Sequence, residues 1–346
     1  MSMTAPLAAI FGCAGTTLSA DERAFFKDAD PLGFILFARN IDNPAQVRAL
    51  INDLRDCVGR QDAPVLVDQE GGRVQRLGPP HWRKAPNAET FANLHSEDTE
   101  RGRNACALNT DLLAAELADL GFSVDCVPVL DIPQPNSDLI IGDRAAGKDV
   151  AQSAELGQLV CERMLAGGIT PVIKHIPGHG RATVDSHLKL PVVDASADDL
   201  RTVDFAPFKA VSAAMGRSVW AMTAHIIYET FDMTAPCTTS AILIADIVRG
   251  EIGFDGFLVS DDLSMKALSG SMVQRTKGSL DAGCDAVLHC NGEMEEMTSV
   301  AGAARALNAI ALERFAASEA ARANREAIDP AIAAKELDAL LQEAAA

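Results

Sequence analysis

Short apolar runs, rich in β-branched residues, recur along the 346-residue chain at Leu7–Cys13, Gly33–Phe37, Pro64–Asp68, Phe122–Leu130, Ile169–His175, Val219–His225, Gly256–Asp261 and Cys284–Cys290. Each is of strand length. Between most of them lie stretches with apolar residues at three- and four-residue spacing, the signature of amphipathic helices. These are Pro44–Val58, Thr99–Leu120, Val150–Leu165, Leu200–Met215, Ser240–Ile252 and Val273–Ala282. Asn43-Pro44 and Thr239-Ser240 read as helix starts, and Gly121, Gly167, Gly216 and Gly283 as left-handed caps just past helix ends. Strands alternating with helices, with no Pro/Ser-rich linker, imply parallel β/α units in one sheet. Eight such units predict a closed (β/α)8 TIM-type barrel; a doubly wound open sheet shares the pattern and is the structural rival. The expectation is one domain over residues 1–346, with an alanine-rich helical extension from about 293 to 346 that caps or flanks the barrel.

Composition narrows the function classes. A formal net charge of -18 argues against nonspecific binding to nucleic acid or an anionic membrane, because phosphates reward basic surfaces. It is silent about a small neutral substrate. The eight cysteines are scattered without a C-x-x-C pair, so free thiols in a reducing compartment are expected. Pro6–Cys13 is apolar, but no Lys or Arg precedes Arg23 and the run is only strand length, so it does not read as a signal peptide. No stretch approaches a membrane span. A cytoplasmic protein with no obligate protein partner is the expectation. With two Trp and one Tyr, stacking platforms for a long polysaccharide are scarce, and a short exo-acting pocket fits better.

In such a barrel the active groups gather where strands end. Polar residues fall at those points: Asp68 to Arg76 after the third run, Lys174 to Gly180 after the fifth, His225 after the sixth, and Ser260-Asp261-Asp262 after the seventh. Lys174 to His187 (KHIPGHGRATVDSH) holds three of the seven histidines. The i, i+4 spacing of His175 and His179 would present two metal ligands on a helix. Pro177 and Gly178 between them argue for a loop instead, and the glutamate of H-E-x-x-H is missing, so neither a metal nor a cofactor is expected. The histidines could also serve only as caps for loop backbone.

KHIPGHG with Asp185-Ser186-His187, VDQEGGRVQRL before it and Val259-Ser260-Asp261-Asp262-Leu263-Ser264-Met265 after it resemble glycoside hydrolase family 3, in its single-domain bacterial β-N-acetylglucosaminidase branch. GFILFARNIDNPAQVRALINDLR, MTAHI and AGCDAVLHCN extend the likeness over nearly the whole chain. The resemblance implies an exo-acting retaining β-N-acetylhexosaminidase that releases terminal N-acetylglucosamine. It also implies a cellular role in peptidoglycan recycling, on N-acetylglucosaminyl-1,6-anhydro-N-acetylmuramyl peptides. By the same resemblance Asp261 is the nucleophile, and His187, paired with Asp185, is the acid/base. Imidazole suits that task, since it titrates near neutral pH and a carboxylate on one nitrogen fixes its tautomer. Adjacent strand residues face opposite ways, yet alternation alone does not choose between Asp261 and Asp262. The resemblance further implies substrate contacts from Asp68, Arg76, Arg144, Lys174 and His175.

Other positions carry bottom-up expectations. Gly71 and Gly72 would let the backbone turn under the sugar. Glu70 and Arg73 are candidates for a structural ion pair, His179 for a loop support, and His225 for either a pocket wall or a buried strand end. After Arg144 the sequence reads Ala145-Ala146-Gly147 where the family more often has a Ser-Phe type continuation, so an aromatic or hydroxyl contact is absent there. Rival functions are a β-glucosidase or β-xylosidase, a phosphorylase on the same fold, a barrel aldolase using Lys174 as a Schiff base, and a non-catalytic sugar-binding protein.

Overall fold

The computed structural model describes residues 5–342. Eight parallel strands close into a barrel: β1 (Leu7–Phe11), β2 (Pro31–Leu36), β3 (Val65–Val67), β4 (Val124–Asp125), β5 (Thr170–Ile176), β6 (Trp220–Thr223), β7 (Phe257–Asp262) and β8 (Ala286–His289). Sequential strands neighbour one another, and β8 closes on β1 with Ala9 opposite Val287. Every residue of β2 and β5 is buried, as expected of parallel strands packed inside the barrel and covered outside by helices. The expected (β/α)8 barrel is thus the observed fold, and the open-sheet rival is set aside.

Local chemistry explains most helix bounds. Asn43 caps Pro44–Val58 by accepting from the Gln46 N–H, and Gly59 ends it in a left-handed conformation. Gly121 caps Thr99–Leu120 as expected, with φ 97°. Gly167 does not take that role: it stays right-handed, and Gly168, at φ +85°, makes the turn instead. The predicted helix Leu200–Met215 is broken. Pro207 lacks an N–H, and the regular helix is confined to Ala206–Met215; the turn before it winds wide, with the Phe205 N–H bonded to Leu200 O at 2.8 Å. Ser240–Ile252 also winds wide over Leu243–Glu251, where the Ile252 N–H reaches Ile247 O at 2.8 Å. Ala20–Ala29 and Ala88–Glu97 are helices that periodicity alone does not mark.

The C-terminal extension forms three helices, Met294–Ala303, Ala309–Ala321 and Pro330–Gln342; residues 343–346 of the predicted extension and 1–4 of the predicted domain lie outside the described residues. Ala333 and Leu337 of the last helix pack with Phe91, Leu94 and Cys106. No helix among the described residues is long and apolar enough to cross a membrane.

Asp285, just before β8, is one of the polar ties between extension and barrel. Its carboxylate accepts from the Leu258 N–H at 2.9 Å and pairs with Arg249 at 2.9 Å and Arg314 at 3.0 Å, the latter on Ala309–Ala321. Removing it takes the carboxylate from the partly buried Arg249 and one of two from Arg314, which keeps Asp255 at 2.9 Å; unpairing a buried charge typically costs on the order of 3 kcal/mol. We expect Asp285→Ala to lower the urea midpoint accordingly while leaving kcat at low temperature near that of the parent. An unchanged midpoint would show that this carboxylate contributes nothing to holding the extension.

Candidate active site

Seven strand-end segments converge on one cavity of about 320 Å3. Among its lining are Asp68, Arg76, Arg144, Lys174, His175, His187 and Asp261, seven of the eight predicted site residues. Asp185 is not in the wall; it holds His187. After β3 the chain folds into a tight hairpin, Gln69–Gly71 against Val74–Gln75, that brings Asp68, Glu70 and Arg76 to the site. Gly71 and Gly72 turn it at φ 92° and 59°, and a Cβ on Gly71 would sit 2.2 Å from Pro86 O, so neither position tolerates a side chain without strain.

Lys174, on β5, is 2% exposed and stands between two carboxylates, 2.9 Å from Asp68 Oδ1 and 2.7 Å from Glu70 Oε1. Asp68 also takes Arg76 Nη2 at 3.0 Å. Glu70 takes Arg144 through both oxygens, at 2.8 and 2.7 Å. The expected Glu70–Arg73 pair is therefore not formed. Glu70 turns inward to Arg144 and Lys174, where buried cations need it, while Arg73 lies outward, 2.8 Å from Asp143. Arg144 is oriented by Glu70 and by Ile140 O at 3.0 Å, with no aromatic contact needed. Burial works against the charges of Asp68, Glu70, Lys174 and Arg144, yet Lys174 and Arg76 hold Asp68 below the usual carboxylate range, and Asp68 and Glu70 hold Lys174 above the usual ammonium range. A Schiff-base lysine requires the opposite shift, so the aldolase alternative lacks its free amine.

At the end of β7 the two aspartates have different surroundings. Asp262 is tied down: Oδ1 accepts from the Ser264 and Cys290 N–H groups, each at 3.0 Å, and Oδ2 from the Ser264 hydroxyl. Asp261 accepts one bond, to Oδ1 from the Asp262 N–H at 2.8 Å, and Oδ2 has no hydrogen-bond partner among the described residues. Burial opposes its charge, but the nearby His225 and His175 keep its carboxyl below the usual range. His225 itself is engaged through both nitrogens, with Thr238 Oγ1 at 2.7 Å and the Asp262 carbonyl at 3.0 Å, and is buried behind the wall.

His187 lies on the segment after β5, with its ring 60% exposed. Asp185 Oδ1 accepts both its backbone N–H and its Nδ1–H, each at 2.8 Å, which leaves Nε2 without a partner among the described residues. One important residue escapes the sequence reading. Asp131, buried just beyond β4, accepts the His175 ring at 2.7 Å and the backbone N–H of His175 and His179. Its signal was a lone carboxylate ending the apolar stretch Phe122–Leu130. Behind Arg144 lies a second, apolar cavity of about 50 Å3, walled by Phe91, Leu113, Leu156 and Ala146 among others.

A barrel whose strand ends carry an available carboxylate, a carboxylate-bound imidazole and a cluster of buried ions has the apparatus of a glycoside hydrolase. The model of the glycosyl hydrolase family 3 N-terminal domain matches residues 7–322, and the chain belongs to that family. It is 37% identical over 287 residues to a beta-hexosaminidase of Alkalilimnicola ehrlichii, covering 82% of this chain and 80% of that protein. It is 34% identical over 305 residues to one of Stenotrophomonas maltophilia, covering 88% and 89%. The crystal structure of native NagZ from Neisseria gonorrhoeae superposes with a TM-score of 0.86 at 29% identity over 99% of both chains. The same TM-score, identity and coverage hold for that NagZ in complex with N-trifluoroacetyl-D-glucosamine.

Asp125, closing β4, offers a pH test. Its Oδ1 accepts the Gln69 N–H at 2.9 Å, while Oδ2 is buried without a partner among the described residues. Burial pushes its carboxyl from an ordinary 3.8 up to about 8, against the pull of the Gln69 N–H and Lys174. The folded chain thus holds this proton more tightly than the unfolded one. The stabilisation that results is complete below pH 3.8 and is lost as pH rises through about 8. Asp125→Asn keeps the acceptor and removes the titration. We expect its urea midpoint to fall less than the parent's between pH 5 and 8, whereas parallel curves would mean that Asp125 is ionised throughout.

Proposed function

We propose that this family 3 enzyme is an exo-acting, retaining β-N-acetylhexosaminidase that removes terminal N-acetylglucosamine, with Asp261 as nucleophile and His187 as acid/base. The observation that carries the reading is the division of labour at one cavity. Asp261 keeps an oxygen free and stays ionised, while Asp185 holds His187 by Nδ1 and leaves Nε2 to exchange a proton. In the first step Asp261 attacks the anomeric carbon as Nε2–H protonates the departing oxygen. In the second, the neutral imidazole takes a proton from water, which displaces the carboxylate and restores the starting configuration. Asp185 fixes the tautomer and orientation of the ring. Asp68, Arg76, Arg144, Lys174 and His175 bind the sugar hydroxyls, which in a partly dry pocket need charged or polar partners. The relatives named beta-hexosaminidase support the activity, and the likeness to NagZ supports N-acetylglucosaminyl-anhydromuramyl peptides as substrate, hence peptidoglycan recycling in the cytoplasm. The whole chain acts as one domain, without a metal, cofactor or obligate protein partner.

The first test is a panel of aryl β-glycosides differing only at C2, followed by the muropeptide, with the anomer of the first-formed sugar read by NMR. Preference for the 2-acetamido sugar and release of the β-anomer are expected. A preference for glucoside or xyloside would move the enzyme to another specificity, and faster turnover in phosphate, with sugar phosphate as product, would make it a phosphorylase. Asp261→Ala should nearly abolish turnover and Asp262→Ala should be milder; a fluorosugar trapped on Asp262 would reverse that assignment. His187→Ala should lose about 10²- to 10⁴-fold on a disaccharide but far less in glycosylation by an activated nitrophenyl glycoside, with azide rescuing the latter's turnover. Equal losses on both, without rescue, would remove His187 from proton transfer.

A further inference from the structure

The segment from Gly178 to Pro191 carries Asp185 and His187 and is pinned at both ends. At the near end the Tyr228 hydroxyl donates to Gly178 O at 2.6 Å, the Gln134 N–H to Gly180 O at 2.9 Å and the Asp138 N–H to Ala182 O at 2.7 Å. At the far end the Ile227 N–H donates to Pro191 O at 3.1 Å. Between these anchors, the hydrogen bonds that residues 183–190 make with described residues stay among those eight residues, with one exception. The exception is Ser186, whose Oγ lies 3.1 Å from Nε2 of His179. Ser186 is buried, although Asp185 and His187 on either side of it reach solvent. The tip therefore dips into the protein at a single hydroxyl.

His179 is well placed to receive it. Its ring is buried, 5.3 Å from the His175 ring, and its backbone N–H is fixed on Asp131 at 2.6 Å. That same carboxylate holds His175, which lines the sugar cavity. One buried anchor thus serves both the wall that meets the sugar and the residue that meets the tip. A hydroxyl can donate to a ring nitrogen or accept from it, so either neutral tautomer keeps the bond. A second proton would need a partner at Nδ1, which is buried and has none among the described residues. Burial, with His175 beside it, correspondingly holds the ring's pKa down to about 4.

We propose that His179 is a positioning residue: through Ser186 it docks the segment tip so that His187 meets the glycosidic oxygen, and Asp131 fixes His179 for the task. This rests on the reading of His187 as acid/base. A merely structural bond would lower stability or affinity evenly, whereas a positioning bond acts in proportion to how much the leaving group needs a proton.

The test compares Ser186→Ala, Ser186→Thr and His187→Ala as kcat/KM on an N-acetylglucosamine disaccharide and on the dinitrophenyl glycoside. A single hydrogen bond of ordinary net strength predicts a loss of about 3- to 10-fold for Ser186→Ala on the disaccharide and under about 2-fold on the activated glycoside. Ser186→Thr, which keeps the hydroxyl, should recover most of the loss. In a His187→Ala background Ser186→Ala should add nothing, because its effect passes through the missing ring. A loss equal on both substrates, or a further loss in the His187→Ala background, overturns the positioning role and makes the bond structural. Parent-like Ser186→Ala beside a strongly leaving-group-dependent His187→Ala also overturns it while the acid/base reading stands. If His187→Ala itself is equally impaired on both substrates, the acid/base reading fails and takes this proposal with it.

Discussion

Lys174 reaches up from β5 between Asp68 and Glu70, so that its ammonium ties β5 to the segment after β3, and Glu70 carries the tie on to Arg144 beyond β4. A charge this deeply buried costs several kcal/mol unless it is matched at close range. The match fixes more than one side chain. Asp68 and Glu70 must be delivered by the hairpin after β3, and Glu70 in turn requires Arg144 from the turn Gly142–Arg144 beyond β4. A slip in any of these loops would leave an unpaired ion in a nearly dry place. The cluster therefore acts less as a source of net stability than as a condition on how the loops are arranged, and the sugar pocket is what that arrangement encloses.

The working groups differ in how firmly they are held. Asp261 ends a buried strand, hydrogen-bonded to its neighbour and facing histidines fixed by Thr238 and Asp131. His187 stands on an exposed segment and is oriented mainly by Asp185, two residues away. On the proposed assignment, the attacking side is as rigid as the barrel, and the proton-transferring side as rigid as one loop. That division suits a cycle in which the aglycone must leave and water enter from the loop side while the covalently held sugar stays put.

Sequence periodicity marked all eight barrel strands, because each is apolar on both faces and too short to be a helix. It missed Ala20–Ala29, where Phe26 is the one apolar residue fully buried and the remaining surface is mostly charged; the Ser19–Glu22 capping box was the legible signal there. It ran a helix through Leu200–Met215 because spacing does not register the missing N–H of Pro207. At the site, motif order gathered the residues that line the cavity, but it could not assign partners. Glu70 and Arg73 lie close in sequence on a hairpin, and only the depth of Lys174 and Arg144 explains why Glu70 turns in and Arg73 does not. Asp131 escaped for a related reason: one carboxylate in an apolar stretch declares its purpose only when the amides it accepts from are known.

The small cavity behind Arg144 has a mechanical meaning. Ala146 forms part of its wall, so the Glu70–Arg144 pair is backed on that side by a void instead of by atoms. A hole of about 50 Å3 represents about 1 kcal/mol of forgone packing at about 24 cal/mol per Å3. Interiors elsewhere resist compression because they are filled, and hydrostatic pressure favours whatever rearrangement eliminates empty volume. In this barrel the compressible spot adjoins the ion cluster that shapes the pocket, so squeezing the molecule would act on the sugar site from behind, through Arg144, before it acted on the strands.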